Sequence, residues 1–444
     1  MAALSPSVSA VSPRQTRILP VHRLNSISPP QSIAEWWASE QQSGSAEAAA
    51  VAEAAELLRT GNTPVGFPTE TVYGLGADAT RSAAVQGIYR AKQRPRDNPL
   101  IVHVDSEDMI ERLLNPPAKD TEANGPKNTK RTIPDIYRPL IERFWPGPLT
   151  ILLPNPPNSI LAPEVTAKLH MFGVRIPSSP FARLLIHATG RPLAAPSANA
   201  STKPSPTIAQ HVYHDLQGRI DLILDGGPCG VGVESTVVDG LSSPPAILRP
   251  GGVGIDEIRA CPGWEKVRKA YKDEALQLKE IPPAPGMKYR HYSPKADVVL
   301  FETGSNPTSI SRRVNADLKN TAVGARKVGF IRTRTWEYAL GLAPPSSPPP
   351  SGEIGSMTSF TLEVEYHPTT YSTIKTTKTI YDIHLGQKTE DIARGLFAAL
   401  RAMDLEDVDI IYVEGIPDNE GELAAAVMNR LRKAAEVEIR KGQA

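Results

Sequence analysis

The chain has 444 residues, 40% apolar and 22% charged, which fits an ordinary soluble globular protein and is long enough for two cores. A formal net charge of +1 excludes a global pull toward nucleic acid or an anionic membrane, so any anion site must be a local cluster. Cys229 and Cys261 have no CxxC or Cys/His neighbour, which argues against a disulfide framework or zinc site and makes a reducing compartment the default; no run of about 18 apolar residues exists to enter a membrane.

From Met1 to Ala34 the sequence has no acidic residue but carries Arg14, Arg17 and Arg23, the composition of a mitochondrial presequence. Prolines at 6, 13, 20, 29 and 30 would interrupt an amphipathic helix, so residues 1–44 read as a disordered tail. The expected location is cytoplasmic, with the mitochondrion left open. An Ala/Glu-rich helix over 46–60 with a stop at Gly61 follows, then a strand over 64–67. That strand empties into Phe67-Pro68-Thr69-Glu70-Thr71-Val72-Tyr73-Gly74-Leu75-Gly76-Ala77-Asp78, where glycines allow close backbone approach and hydroxyls flank a carboxylate.

A helix over 81–91 leads to Lys92-Gln93-Arg94-Pro95-Arg96-Asp97-Asn98-Pro99 and a strand over 100–104. Three cations within five residues are equally a solvated bend or fingers for a polyphosphate. His103 alternates with Ile101 on that strand, a pattern more often structural than functional. Residues 115–135 lack apolar periodicity and read as an exposed insertion. The core resumes at Phe144-Trp145-Pro146-Gly147-Pro148-Leu149-Thr150 and a strand over 151–153. In the strand over 173–177, Arg175 points opposite to Val174 and Ile176, as a surface residue or a carboxylate clamp.

A helix over 180–189 and a strand over 192–195 lead into Pro196-Ser197-Ala198-Asn199-Ala200-Ser201. The hydroxyl-rich loop after it ends at Thr207, a suitable N-cap for a helix over 208–216, and the arrangement suits a phosphate. After a strand over 220–224, the glycines of 226–232 do not form a dinucleotide fingerprint, because Pro228 and Cys229 interrupt them and a strand over 236–239 follows. Arg249 then stands at a strand end.

Five of these stretches, in order, carry a resemblance: residues 67–76, Lys92-x-Arg94 with 98–103, 144–150, Ala195-Pro196-Ser197-Ala198-Asn199 and Gly232-Val233-Glu234-Ser235-Thr236. Over roughly residues 45–260 the chain resembles the Sua5/YrdC/YwlC family, the threonylcarbamoyl-AMP synthases. Residues 285–294 look like the linker of the long, two-domain Sua5 type.

The resemblance implies an α/β fold, a YrdC-like twisted open sheet with a large concave cavity plus a smaller Rossmann-like Sua5 domain. It implies that L-threonine, bicarbonate and ATP give threonylcarbamoyl-adenylate, whose product feeds t6A modification of tRNA through a separate transferase of the Kae1/Qri7 type. Carried over by motif, Lys92, Arg94, Ser197 and Asn199 form the catalytic set. Arg94, Asn98, Ser197, Ser205, Arg249 and the linker residue Tyr289 contact ATP, and Thr71, His103, Arg175, Ala195 and Ser235 surround threonine. Arg175 would pair with the threonine carboxylate. Mg2+ would arrive on the ATP phosphates, with no protein metal site.

The expected division is a tail over 1–44, a catalytic domain over 45–265, a linker over 266–295 and a second domain over 296–444. In that second domain, strands over 297–301, 327–331, 381–385 and 409–413 and helices over 390–403 and 420–438 suggest a small doubly wound sheet. The Pro/Ser run over 343–352 and the Thr-rich stretch after it read as an inserted loop. The alternative function is a double-stranded RNA-binding module of the same fold; near-neutral charge argues against RNA as the main ligand, though weak binding stays open. The related hydrogenase-maturation carbamoyltransferases resemble fusions with cysteine-rich zinc modules, which two cysteines cannot supply.

Overall fold

The computed structural model describes residues 14–26, 32–117, 130–272, 282, 284–285, 287, 292–305, 307–319, 327–344, 352–369 and 372–440. Capping explains where several helices begin and end. Ser45 accepts the Ala48 amide ahead of the helix Ala46–Thr60, and Gly61 closes it on the Leu57 carbonyl. The apolar face Val51, Ala54, Ala55 and Leu58 repeats at helical spacing and is buried on the first sheet and the helix Pro180–Thr189, itself capped by Ser179 and Gly190. Helix Ala209–Leu216 departs from expectation: its N-cap is Ile208, without a side-chain cap, and Thr207 instead meets His211.

The first sheet is open, twisted and mixed. From edge to edge its strands are Arg17–Pro20, Leu222–Asp225, Val65–Phe67, Gly74–Asp78, Leu193–Ala194, Ile101–His103, Met171–Arg175, Leu149–Pro154, Thr236–Asp239, Ala246–Arg249 and Arg268–Lys269. It thus runs past residue 265. The opening segment corrects the reading of a disordered tail. Arg17–Pro20 pairs in parallel with Leu222–Asp225, and helices His22–Ser26 and Ile33–Ser43 follow. The acids missing before residue 35 come from later helices: Arg23 holds Glu40 at 2.6 Å, and Glu47 accepts the amides of Arg23 and Leu24. Val21, Leu24 and Trp36 are buried beneath. Residues 1–13 and 27–31, and 118–129 of the expected insertion, lie outside the described residues.

The second sheet runs Met357–Thr369, Ser372–His384, Lys327–Arg332, Ile410–Glu414, Asp297–Phe301 and Val437–Ile439, all parallel except the first strand. The Thr-rich stretch read as a loop is therefore a long antiparallel hairpin. Its threonines and β-branched partners suit a pleated surface, which the hydrophilic composition concealed. Helix Glu422–Ala434 stops short of 438, giving way to the strand Val437–Ile439. Helices Thr389–Leu405 and Glu422–Ala434 cover one face, and Pro307–Lys319 covers the other.

The faces bearing Thr389–Leu405 and Glu422–Ala434 also clamp the first sheet's loops. Arg430 forks onto Glu234 at 2.9 and 3.0 Å and also reaches the Pro250 carbonyl. Arg401 holds Asp215 at 2.8 Å and the Pro204 carbonyl. Gly232 (φ +82°) lies so close to the helix Thr389–Leu405 that a Cβ there would sit 2.4 Å from Arg394 Cα; only glycine fits both constraints. Among the described residues no helix is long and apolar enough to cross a membrane.

Candidate active site

Strand register assembles the site. Parallel pairing of Ile101–His103 with Met171–Arg175 sets His103 beside Arg175. On the other side of Ile101–His103 lies Leu193–Ala194, whose continuation through Ala195 reaches Ser197, bridged to Gly74. Arg249 ends Ala246–Arg249, and the turn at 69–74 closes the near wall. Together with Arg94, Glu234, Ser235, Pro285 and Tyr292 these residues enclose a cleft with about 60 Å³ of free volume.

Arg175 is the hub. Its Nε donates to His103 Nε2 at 2.9 Å, its Nη1 to Glu70 at 2.6 Å, and its Nη2 to the Thr71 hydroxyl at 3.0 Å. Because a guanidinium can only donate, His103 Nε2 accepts, and Nδ1 carries the proton toward the Ile101 carbonyl. Burial, reinforced by Arg175, pushes the His103 pKa well below its usual value, so this histidine is neutral. In this state the anion on Arg175 is Glu70.

Arg249 forms the opposite wall. It donates to the Ser235 carbonyl at 2.9 Å and hydroxyl at 3.1 Å, and to the Pro285 carbonyl at 3.3 Å. The Ser235 hydroxyl also meets Thr150 at 2.8 Å. Burial lowers the Arg249 pKa to about 10. Gly251 makes this wall possible, since a Cβ there would lie 2.3 Å from the Glu234 oxygen and the Thr236 nitrogen.

Of the expected residues, Thr71, Arg94, His103, Arg175, Ala195, Ser197, Ser235 and Arg249 line the cleft. Lys92, Asn98, Asn199 and Ser205 do not. Lys92 ends the helix Ser82–Lys92, fully buried, and its ammonium donates to the Ser197 carbonyl and, at 2.6 Å, to that of Asn199. Burial and then Arg94 push its pKa well below normal. Lys92 therefore ties the Ser197–Asn199 turn from behind, where an ammonium's three donors suit carbonyls converging from different directions. Asn199 closes that turn on the Lys203 carbonyl. Asn98 is buried beside the cleft, its carbonyl accepting from the Tyr89 hydroxyl. Ser205 donates to Glu234 at 2.5 Å. Tyr289 lies outside the described residues; Tyr292, three positions on, reaches the cleft.

Sequence reasoning assigned no role to Glu70, Glu234 or Tyr292. Burial alone would raise the Glu234 pKa, but Arg430 and Arg249 outweigh it and hold it at about 2. Tyr292 stacks on Phe397 at 5.2 Å and lies under Arg430 at 5.7 Å, so the second domain positions a ring in the cleft wall. A cluster of two guanidiniums on one carboxylate was legible only as isolated charges.

Two family models cover most of the chain. One described as "Telomere recombination" (Sua5, YciO and YrdC) matches residues 56–251, and one described as the C-terminal domain of threonylcarbamoyl-AMP synthase matches 253–436. The threonylcarbamoyl-AMP synthase of Schizosaccharomyces pombe is 46% identical over 87% of this chain and 88% of its own length. The chain belongs to the threonylcarbamoyl-AMP synthase family. The Bacillus subtilis synthase is 40% identical over 87% of this chain and 92% of its own length. The fold of this synthase family member is similar to that of Pyrococcus abyssi Sua5 crystallised with L-threonine, with a TM-score of 0.69 and 35% identity over 96% of this chain and 99% of that one. This family member is thus an enzyme of the nucleotidyltransferase type, with a YrdC-type first sheet and a Sua5-type second domain.

Proposed function

We propose that the chain condenses L-threonine, bicarbonate and ATP into threonylcarbamoyl-adenylate, releasing pyrophosphate and water, and that the product feeds t6A formation on tRNA through a separate transferase. The observation that carries this reading is the convergence of Arg94, Arg175 and Arg249 on one cleft with Thr71, Ser197 and Ser235. The threonine amine attacks the bicarbonate carbon, water leaves, and a carbamate remains. A carbamate oxygen then attacks the α-phosphorus while the bond to the pyrophosphate oxygen breaks. Bicarbonate, the carbamate, ATP, the adenylate and pyrophosphate are all anionic, so positioning and charge stabilisation are the demands on the protein. No side-chain nucleophile is required.

Threonine's carboxylate takes the place of Glu70 on Arg175, beside Thr71 and the neutral His103. The phosphates face Arg94 and Ser197, with Arg249 across the cleft. ATP and threonine together exceed 60 Å³, so the substrates extend beyond the free volume of the cleft or displace part of its wall. When it arrives with ATP, Mg2+ would neutralise charge on the phosphates. Among the described residues no three His, Cys, Asp or Glu side chains group as a metal site, and Glu234 is committed to Ser205 and Arg430.

Pyrophosphate release by the purified chain tests the reading, with each co-substrate omitted in turn and beside Arg94→Ala. Turnover should require both threonine and bicarbonate and fall by about a hundredfold or more in the variant. ATP cleavage indifferent to threonine would refute it.

A further inference from the structure

The second domain holds a crevice of about 370 Å³ that the synthase reaction does not use. Its position follows from topology. Asp297–Phe301 and Ile410–Glu414 are parallel neighbours. The chain leaves the first toward helix Pro307–Lys319, packed on the face of Phe301, Phe330 and Tyr412. It leaves the second toward helix Glu422–Ala434, on the face of Val298, Leu300 and Val413. Adjacent strands whose loops diverge to opposite faces open a crevice at their carboxyl ends, the place where doubly wound sheets take ligands. The cavity falls there, lined by the loops after Phe301, Arg332 and Glu414.

Its lining defines the ligand's chemistry. The floor is apolar: Phe301, Ile310 and Trp336, with the two rings edge to face at 5.5 Å. The rim carries Glu302, Thr303, Ser305, Thr335, Arg334 and Glu420. An anion is disfavoured, because the amides that would bind it are occupied. Glu414 already accepts those of Thr333, Arg334, Thr335 and Trp336, at 2.6 to 3.2 Å, and Arg334 is paired with Glu420. Glu302 is held by Arg432 through one hydrogen bond per oxygen, so each oxygen keeps a lone pair for another donor. An aromatic floor beneath a carboxylate rim suits a flat group carrying hydroxyl donors and no negative charge. Its volume lies within the usual range for small-molecule pockets, about 300–1,000 Å³.

We propose that this crevice binds a nucleoside moiety, its base against Trp336 and Ile310 and its ribose hydroxyls donating to Glu302 and Glu420. The site is separate from the catalytic cleft, so it serves as a second, regulatory or delivery site on the same chain. The moiety comes as a free nucleoside or as part of a nucleotide.

Calorimetry on the full chain separates these sources and the two sites. Adenosine, guanosine, AMP and inorganic phosphate are titrated into wild type, Arg94→Ala, Ser305→Trp, Thr303→Trp and Glu302→Gln. A nucleoside should bind wild type and Arg94→Ala alike, and both tryptophan variants, which fill the crevice from its rim loop, should lose it. Glu302→Gln should weaken it about tenfold. In Arg94→Ala, where the catalytic cleft has lost a phosphate contact, AMP should bind no more tightly than adenosine, and phosphate should give no heat. Threonine-dependent ATP turnover retained in the tryptophan variants shows that they fold, and either folded variant suffices. The proposal is overturned if no nucleoside binds wild type at millimolar concentration, or if binding survives in a folded tryptophan variant. Loss in Arg94→Ala alone, or AMP at least tenfold tighter than adenosine in Arg94→Ala, overturns it equally.

Discussion

Replacing Arg430 with methionine isolates what the second domain does for the catalytic cleft. In the intact protein Glu234 is buried between Arg430, which forks onto it at 2.9 and 3.0 Å, and the Ser205 hydroxyl at 2.5 Å. Methionine fills most of the arginine's space but strands the carboxylate, a loss of about 3–5 kcal/mol at neutral pH. The pH dependence is the diagnostic part. In wild type the folded pKa of about 2 lies below the ordinary 4.5, so the stabilisation is present above 4.5 and disappears as pH falls through 2. Without Arg430, burial pushes the folded pKa upward against the remaining pull of Arg249 and the Ser205 hydroxyl, and it should pass 4.5. Glu234 then favours folding only below 4.5, and that contribution vanishes as pH climbs through the new value. The gap between variant and wild type should therefore widen by about 1–3 kcal/mol from pH 4 to pH 7. Denaturant unfolding followed by tryptophan fluorescence at both pH values measures it. A penalty independent of pH, or below about 1 kcal/mol at pH 7, would show that Glu234 does not depend on Arg430.

Four further outcomes are expected. Arg175→Met should cut kcat/KM for threonine by about a hundredfold or more while leaving the KM for ATP nearly unchanged, and lysine should not rescue it, because the guanidinium serves His103, Glu70 and Thr71 at once. Equal losses for both substrates would contradict the division of the cleft. Gly251→Ala forces the Glu234–Thr236 backbone aside and should cost about 1–3 kcal/mol in a thermal melt, together with activity; an unchanged melt would rule out the close approach. Cys229 and Cys261 are both buried, and burial pushes the Cys229 thiol well up, so neither should react with a thiol reagent until denaturant is added. Labelling in native buffer would count against that burial. Deleting residues 1–26 removes a paired edge strand and buried Val21 and Leu24, and should lower the melting temperature by several degrees.

The parts of the fold that could be read from sequence are those whose signals are local. Ala46–Thr60 and Pro180–Thr189 announce themselves by a serine before and a glycine after, and the cleft-lining motifs lie at strand ends bounded by glycine and proline. What escaped depends on distant partners. Arg17–Pro20 becomes a strand only beside Leu222–Asp225, and the Thr-rich hairpin only by facing itself across a register no composition states. The same holds within the site. Lys92 and Arg94 are two residues apart in one motif, yet the helix end buries the first behind the Ser197 turn and leaves the second in the cleft wall. Glu70 and Glu234 look like loop acids until Arg175 and Arg430 arrive from other elements.

Pairing of the opening strand with one made much later has a consequence for synthesis. At about 5–20 residues per second, the roughly two hundred residues between Arg17 and Leu222 take about 10–40 s to translate. During that time Ile18, Leu19 and Val21 have left the ribosome without the neighbour that covers them. This strand thus docks only after most of the first sheet has been translated, and for that interval the nascent chain exposes apolar residues of the kind that chaperones shield.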